Sequence, residues 1–198
     1  GDRHGLGNFK TVNRYRAGQF TDVKASDWFA DNVKSAYELG LMKGNSSATF
    51  APNATITVAE AVTVAARVRD IYWEDGTSFT AKAGAAWYQP YVDYAIANGM
   101  MNTAPADYER PATRAELARW LDSALAGEGT EPATQTVRFT DVTEAHPDYA
   151  CIMDLVRAGI MGGKGDGIFD PDAPVLRCEA AAMLSRAALP SLRLGAGS

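Results

Sequence analysis

Apolar residues recur at helical spacing in three well-separated stretches of the chain. Phe29, Val33, Ala36 and Tyr37 fall on one face, as do Tyr88, Val92, Ala95 and Ile96, and then Ile152, Leu155 and Val156. Each stretch runs into a glycine followed by two hydrophobic residues: Gly40 before Leu41-Met42, Gly99 before Met100-Met101, Gly159 before Ile160-Met161. That order predicts a helix stop, with Gly left-handed at the C′ position and the next apolar side chain folded back on the last turn. A second helix is predicted to begin at Thr57 and at Thr113. In both places Glu stands three residues on, the signature of a capping box. The third counterpart has Leu176 at the cap position, so its box is broken. Loops rich in Gly, Asn, Asp and Pro join the two helices, with an aromatic residue (Phe50, Tyr108, Phe169) placed to pin each loop to the core.

The pattern is a repeat. A shift of 119 lays Phe20-Thr21-Asp22-Val23 on Phe139-Thr140-Asp141-Val142 and, without a gap, Gly40 on Gly159, Gly44 on Gly163, Glu60 on Glu179 and Arg67 on Arg186. A shift of 59 lays Phe79-Thr80 on Phe20-Thr21, Trp87 on Trp28, Val92 on Val33 and Gly99 on Gly40. Thr113-Arg114-Ala115-Glu116 then matches Thr57-Val58-Ala59-Glu60 after a small deletion. The organisation expected is a flexible start (1–17), repeats at 18–72, 77–126 and 137–190, and a loose tail (191–198). The linkers are short, and a helical hairpin of about fifty residues rarely buries its own apolar face. A mainly all-α body of three mutually packed repeats follows.

Composition narrows the chemistry. The 198 residues are 46% hydrophobic and 22% charged, which is ordinary globular usage. No run approaches the ~18 apolar residues of a membrane span. Net charge is −5, from 24 acidic and 19 basic residues, with Lys and Arg scattered singly. No basic stripe offers itself to nucleic acid. Cys151 and Cys178 make neither a disulfide framework nor a zinc site; they read as buried small hydrophobes in reduced form, or as a pair bridging the two helices of repeat 3. The turn Gly162-Gly163-Lys164-Gly165-Asp166-Gly167 follows a helix and lacks Ser or Thr after its lysine, so the P-loop pattern fails. Asp166, Asp170 and Asp172 miss the EF-hand spacing. His4 and His146 are the only histidines, and neither sits in a Gly-x-Ser-x-Gly or His-Glu-x-x-His setting. No metal, cofactor or catalytic activity is expected.

Phe-x-Asp-Val, then Trp, a helix ending in Gly, a Gly-rich turn before Phe-x-Pro, and Thr-Arg-Ala-Glu resemble the S-layer homology domain over roughly residues 18–190. The resemblance implies a three-pronged, pseudo-threefold helical module on a bacterial cell surface. It implies a secreted, non-catalytic anchor that binds secondary cell-wall polysaccharide, often pyruvylated, in grooves between the prongs. Self-association within a surface layer is a further partner it suggests, and a structural module with decayed grooves is the alternative role.

Carried onto this chain, the family's ligand-facing positions are Arg114 and Arg177, Trp28 and Trp87, Asp22 and Asp141, and Gly163 with Lys164 in the turn. Copy one has Val58 for the arginine, copy two Ala81 for the aspartate, and copy three Pro147 for the tryptophan. A guanidinium suits a carboxylate, and an indole face suits the apolar side of a sugar ring. The same residues also read as structure: tryptophans as core, aspartates as turn or cap residues, and glutamates as box members. Arg114, at a capped helix start, is expected to matter more than Arg177.

Overall fold

The computed structural model describes residues 4–195; the extreme ends of the expected flexible start and loose tail lie outside the described residues. It is mainly helical, with α1 (Ala30–Glu38), α2 (Val58–Trp73), α3 (Gln89–Ala97), α4 (Arg114–Leu125), α5 (Tyr149–Arg157) and α6 (Arg177–Ala188). No helix among the described residues is long and apolar enough to cross a membrane.

The helix stops form as the glycines dictate. Gly40, Gly99 and Gly159 take φ of 73°, 75° and 79°. The next residue then donates back to the helix, Leu41 to Ala36, Met100 to Ala95 and Ile160 to Leu155, at 2.8–2.9 Å. At the starts of α2 and α4, Thr57 with Glu60 and Thr113 with Glu116 close both halves of the capping box. At α6 only half survives: Glu179 accepts the Leu176 N–H at 2.9 Å, and the half-buried leucine side chain packs on the core instead of capping.

A closed ring of three backbone hydrogen bonds marks the centre. Ile56 N–H donates to Val175, Val175 N–H to Ala112 and Ala112 N–H to Ile56, all at 2.9–3.1 Å. The first amides of each second helix, which have no partner within the helix, then find one in the next repeat. Val58 and Ala59 donate to Arg110 and Tyr108, Arg114 and Ala115 to Ala173 and Pro171, and Arg177 and Cys178 to Ala54 and Pro52. The repeats are joined head to tail in a circle.

Helix pairing follows the same circle and differs from a row of hairpins. The principal partner of each first helix is the second helix of the preceding repeat: α2 takes α3, α4 takes α5, and α6 closes on α1. The α1–α6 seam holds a buried bond from Asn32 Nδ2 to Ser185 Oγ, 3.0 Å long. An amphipathic stripe states that a face is buried; it does not name the partner, which the circular pairing supplies.

The described parts of the ends touch the helical body at a few points. Phe9 is buried, and Val12 and Asn13 donate to the Glu38 carbonyl at the end of α1, as Thr134 and Gln135 do to Arg157 at the end of α5. Arg193 is buried, its guanidinium bonded to carbonyls of Gly129, Arg186 and Ala187. Both segments give donors to carbonyls in the last turns of helices, which have no partner within the helix. Cys151 and Cys178 are free thiols, the first half-buried and the second buried.

One contact between α4 and α5 is electrostatically costly. Asp122 leaves one carboxyl oxygen buried without a partner, and burial, then the Asp154 carboxylate, pushes its pKa up to about 7. The native state therefore keeps a proton that the unfolded chain sheds near pH 4. Stability from this site is greatest below about pH 4 and falls as pH rises through about 7. Asp122→Asn is expected to raise the melting temperature little at pH 4 and by several degrees at pH 8, equivalent to about 1–2 kcal/mol. A difference between variant and wild type that stays constant over that range would refute this account.

Candidate functional site

Two clefts between repeats share one construction. The first, about 250 Å³, is lined by Trp28, Arg114, Gly163, Lys164, Glu179 and Arg186. The second, about 270 Å³, is lined by Trp87, Arg177, Lys43, Asn45, Glu60 and Arg67. Each draws a tryptophan from the residue two before a first helix, an arginine from the start of one second helix, and a glutamate plus a further arginine from another. The circular helix pairing brings these pieces together: α1 on α6 sets Trp28 beside Glu179 and Arg186, and α3 on α2 sets Trp87 beside Glu60 and Arg67.

The tryptophans are open, Trp28 at 61% and Trp87 at 59% exposure, while Arg114 and Arg177 are buried at 4% and 8%. Arg114 is fully engaged with the neighbouring repeat. Its Nε donates to the Phe169 carbonyl at 3.0 Å, Nη2 to Gly162 at 2.8 Å and Nη1 to Glu179 at 2.7 Å, with the guanidinium 4.6 Å from the Phe169 ring centre. Arg177 repeats this with the Phe50 carbonyl at 2.7 Å, Lys43 at 2.6 Å and Glu60 at 3.5 Å, over the Phe50 ring at 4.7 Å. Burial pulls both guanidinium groups below their ordinary pKa, and Glu179 and Glu60 respectively push back. The expectation that a missing cap leaves Arg177 less well oriented is corrected: the neighbour's carbonyls hold it, not its own helix start.

Other expected site residues take other places. Asp22 accepts the Phe50 and Ala51 amides at 2.8 Å, and Asp141 accepts those of Phe169 and Asp170 at 2.9 and 2.8 Å. Desolvation opposes charge on Asp141, yet those amides win and hold it below the usual carboxylate range. Neither aspartate lines the two clefts. Gly163 does, but its small size serves packing: a Cβ there would stand 2.6 Å from the Phe139 ring and 2.8 Å from the Ile168 carbonyl. Lys164 lies 3.6 Å from Glu179 at the mouth of the first cleft.

A third cleft, about 610 Å³, is lined by residues 99–120 of the middle repeat and departs from the pattern. Val58, at the start of α2 and outside this cleft, stands where an arginine would by alignment, and Glu116 is taken instead by Arg110 of its own repeat at 2.6 and 2.8 Å. Arg119 pairs with Asp148 at 3.3 Å. Every arginine lining this cleft has a carboxylate.

The family model of the S-layer homology domain matches residues 19–62 and 138–181, which are copies one and three. Copies one and three are S-layer homology domains. The chain is 26% identical over 170 residues to the S-layer protein sap of Bacillus anthracis, covering 84% of this chain and 21% of that protein. It is 27% identical over 146 residues to a cellulosome-anchoring protein of Acetivibrio thermocellus (71% and 32%), and 32% identical over 111 residues to the exoglucanase XynX of the same species (51% and 10%). The chain spans a third or less of the length of each of these relatives.

Sequence reasoning missed three cleft residues: Lys43, Arg67 and Arg186. The register had aligned the two arginines. What it lacked was the circular pairing that turns that helix face toward a tryptophan of another repeat. Among the described residues, no group of three or more His, Cys, Asp or Glu is arranged to hold a metal.

Proposed function

We propose that this S-layer homology module anchors the protein bearing it to a bacterial cell surface by binding an acidic secondary cell-wall polysaccharide, pyruvylated in the form that fits best, in the Trp28 and Trp87 clefts. The observation that carries this reading is the duplicated constellation. An exposed indole faces three cations and a single carboxylate in each cleft, on a chain whose net charge is −5. Indole faces suit the C–H side of sugar rings, and the excess positive charge suits a polymer carrying carboxylates. The third cleft, with its charges internally paired, is the weakest candidate. The relatives support the same role, since two of them are a surface-layer protein and a cellulosome-anchoring protein.

Sedimentation with purified cell-wall sacculi tests the reading. The full chain is expected to co-sediment with intact sacculi and to stay in solution once the secondary polysaccharide has been stripped. Trp28→Ala and Trp87→Ala should each weaken binding by about 0.5–1.5 kcal/mol, roughly two- to tenfold, without lowering the melting temperature, because neither ring is core. Equal sedimentation with stripped sacculi would overturn it and favour a structural role with decayed grooves.

A further inference from the structure

Arg186 is the cation in the first cleft with nothing to hold. It sits on α6, its Nε is buried without a hydrogen-bond partner, and among the described residues no carboxylate lies within ion-pair distance of its guanidinium. The other two cations of that cleft are spoken for: Arg114 by two carbonyls and Glu179, and Lys164 by the same glutamate. Burial alone depresses the Arg186 pKa, with no neighbouring charge acting the other way. A desolvated guanidinium without a counter-charge is costly unless something supplies the anion.

We propose that Arg186, not the motif arginine Arg114, is the group that binds the carboxylate of an acidic ligand in the Trp28 cleft. The ligand class is a saccharide with an acid group on one edge: its ring lies on Trp28 and its carboxylate takes the free N–H donors of Arg186. The Trp87 cleft shows the contrast. Its counterpart, Arg67, already donates to the Tyr91 hydroxyl at 3.2 Å and lies 5.2 Å from that ring's centre, so a ligand there must displace a partner. In the middle copy the aligned position is Ser123, with no charge to offer. The Trp28 cleft is therefore the stronger anion site, an inference that rests on the glycan reading above but has its own readout.

Two measurements separate them. In the first, the Arg186 Nε–H resonance of the full chain is followed by NMR while free pyruvate is added as the carboxylate probe. It is expected to shift saturably while the Arg114 Nε–H, bonded to the Phe169 carbonyl, stays in place. In the second, Arg186→Gln and Arg186→Lys are compared with wild type in binding to pyruvylated wall polysaccharide, before and after mild acid removes the pyruvyl ketal. Arg186→Gln should bind the intact polymer about ten- to a hundredfold more weakly, Arg186→Lys should recover part of the loss, and all three should bind the treated polymer alike. A static Arg186 resonance, or an Arg186→Gln variant that binds intact polymer like wild type, overturns the proposal. A shifting Arg186 in a wild-type chain that ignores both polymers sustains the anion site and overturns the wall-glycan reading. Should Arg186→Gln fail to fold, the resonance of the wild-type chain decides.

Discussion

Residues 77–126, the middle repeat, are expected to be unfolded when expressed alone. The segment contains α3 and α4, but α3 packs chiefly on α2, and α4 packs on α2 and α5, all outside it. Its contributions to the central ring, the Ala112 amide bonded to Ile56 and the Ala112 carbonyl bonded by Val175, lose both partners. So do the Arg114 and Ala115 amides at the start of α4, which donate to Ala173 and Pro171. Val92, Leu117, Leu121 and Leu125 are fully buried in the whole chain. Burying such a side chain is worth roughly 1.5–3 kcal/mol, so re-exposing these four costs about 6–12 kcal/mol, as much as the whole ~5–15 kcal/mol margin of an ordinary domain. Circular dichroism should show little helix and no cooperative melt for the fragment, against one transition for the full chain. A fragment melting cooperatively near the full-chain temperature would mean that the repeats are independent beads.

The residues that announce the repeat are the ones whose chemistry is local. Gly40, Gly99 and Gly159 stop helices, and Thr57 and Thr113 cap them, whatever lies alongside, so both features were legible in one dimension. Non-local chemistry was not. Asp22 and Asp141 could be turn residues or ligand contacts by sequence, and only the loop folding over them shows that each grips two amides. Trp28 could be core or surface, and its exposure follows from α1 packing on α6, at the far end of the chain. Arg114 is the sharpest case. A basic residue at a helix start reads as a surface group or a ligand clamp, yet the next repeat presents it with two carbonyls and a carboxylate.

Arg114→Ala is accordingly expected to cost stability before it costs binding. Removing one member of a buried, hydrogen-bonded ion pair costs about 3–5 kcal/mol, because the partner stays behind uncompensated. Here Glu179 would lose its 2.7 Å partner, and the Phe169 and Gly162 carbonyls their donors, in a place only 4% exposed. The melting temperature should drop by about 10 °C for a chain of this size. Lysine cannot reproduce the planar fork that spans two carbonyls and a carboxylate, so Arg114→Lys should recover little. The repeat with an apolar residue at this position offers a comparison: Val58 replaces the arginine, and the aligned glutamate of the next repeat, Glu116, is held by Arg110 instead. Arg114→Ala with Glu179→Gln should therefore lose less than the sum of the single changes, the coupling expected of groups in direct contact. Melting curves of the two single variants and the double variant complete the cycle. If Arg114→Ala melts within about 1 kcal/mol of wild type, or if the two losses simply add, the guanidinium is not the staple between repeats 2 and 3. If the cycle closes as expected, reduced wall binding by an Arg114 variant reports a loosened groove, and the ligand's acid group must be sought at a residue that can be changed without that cost.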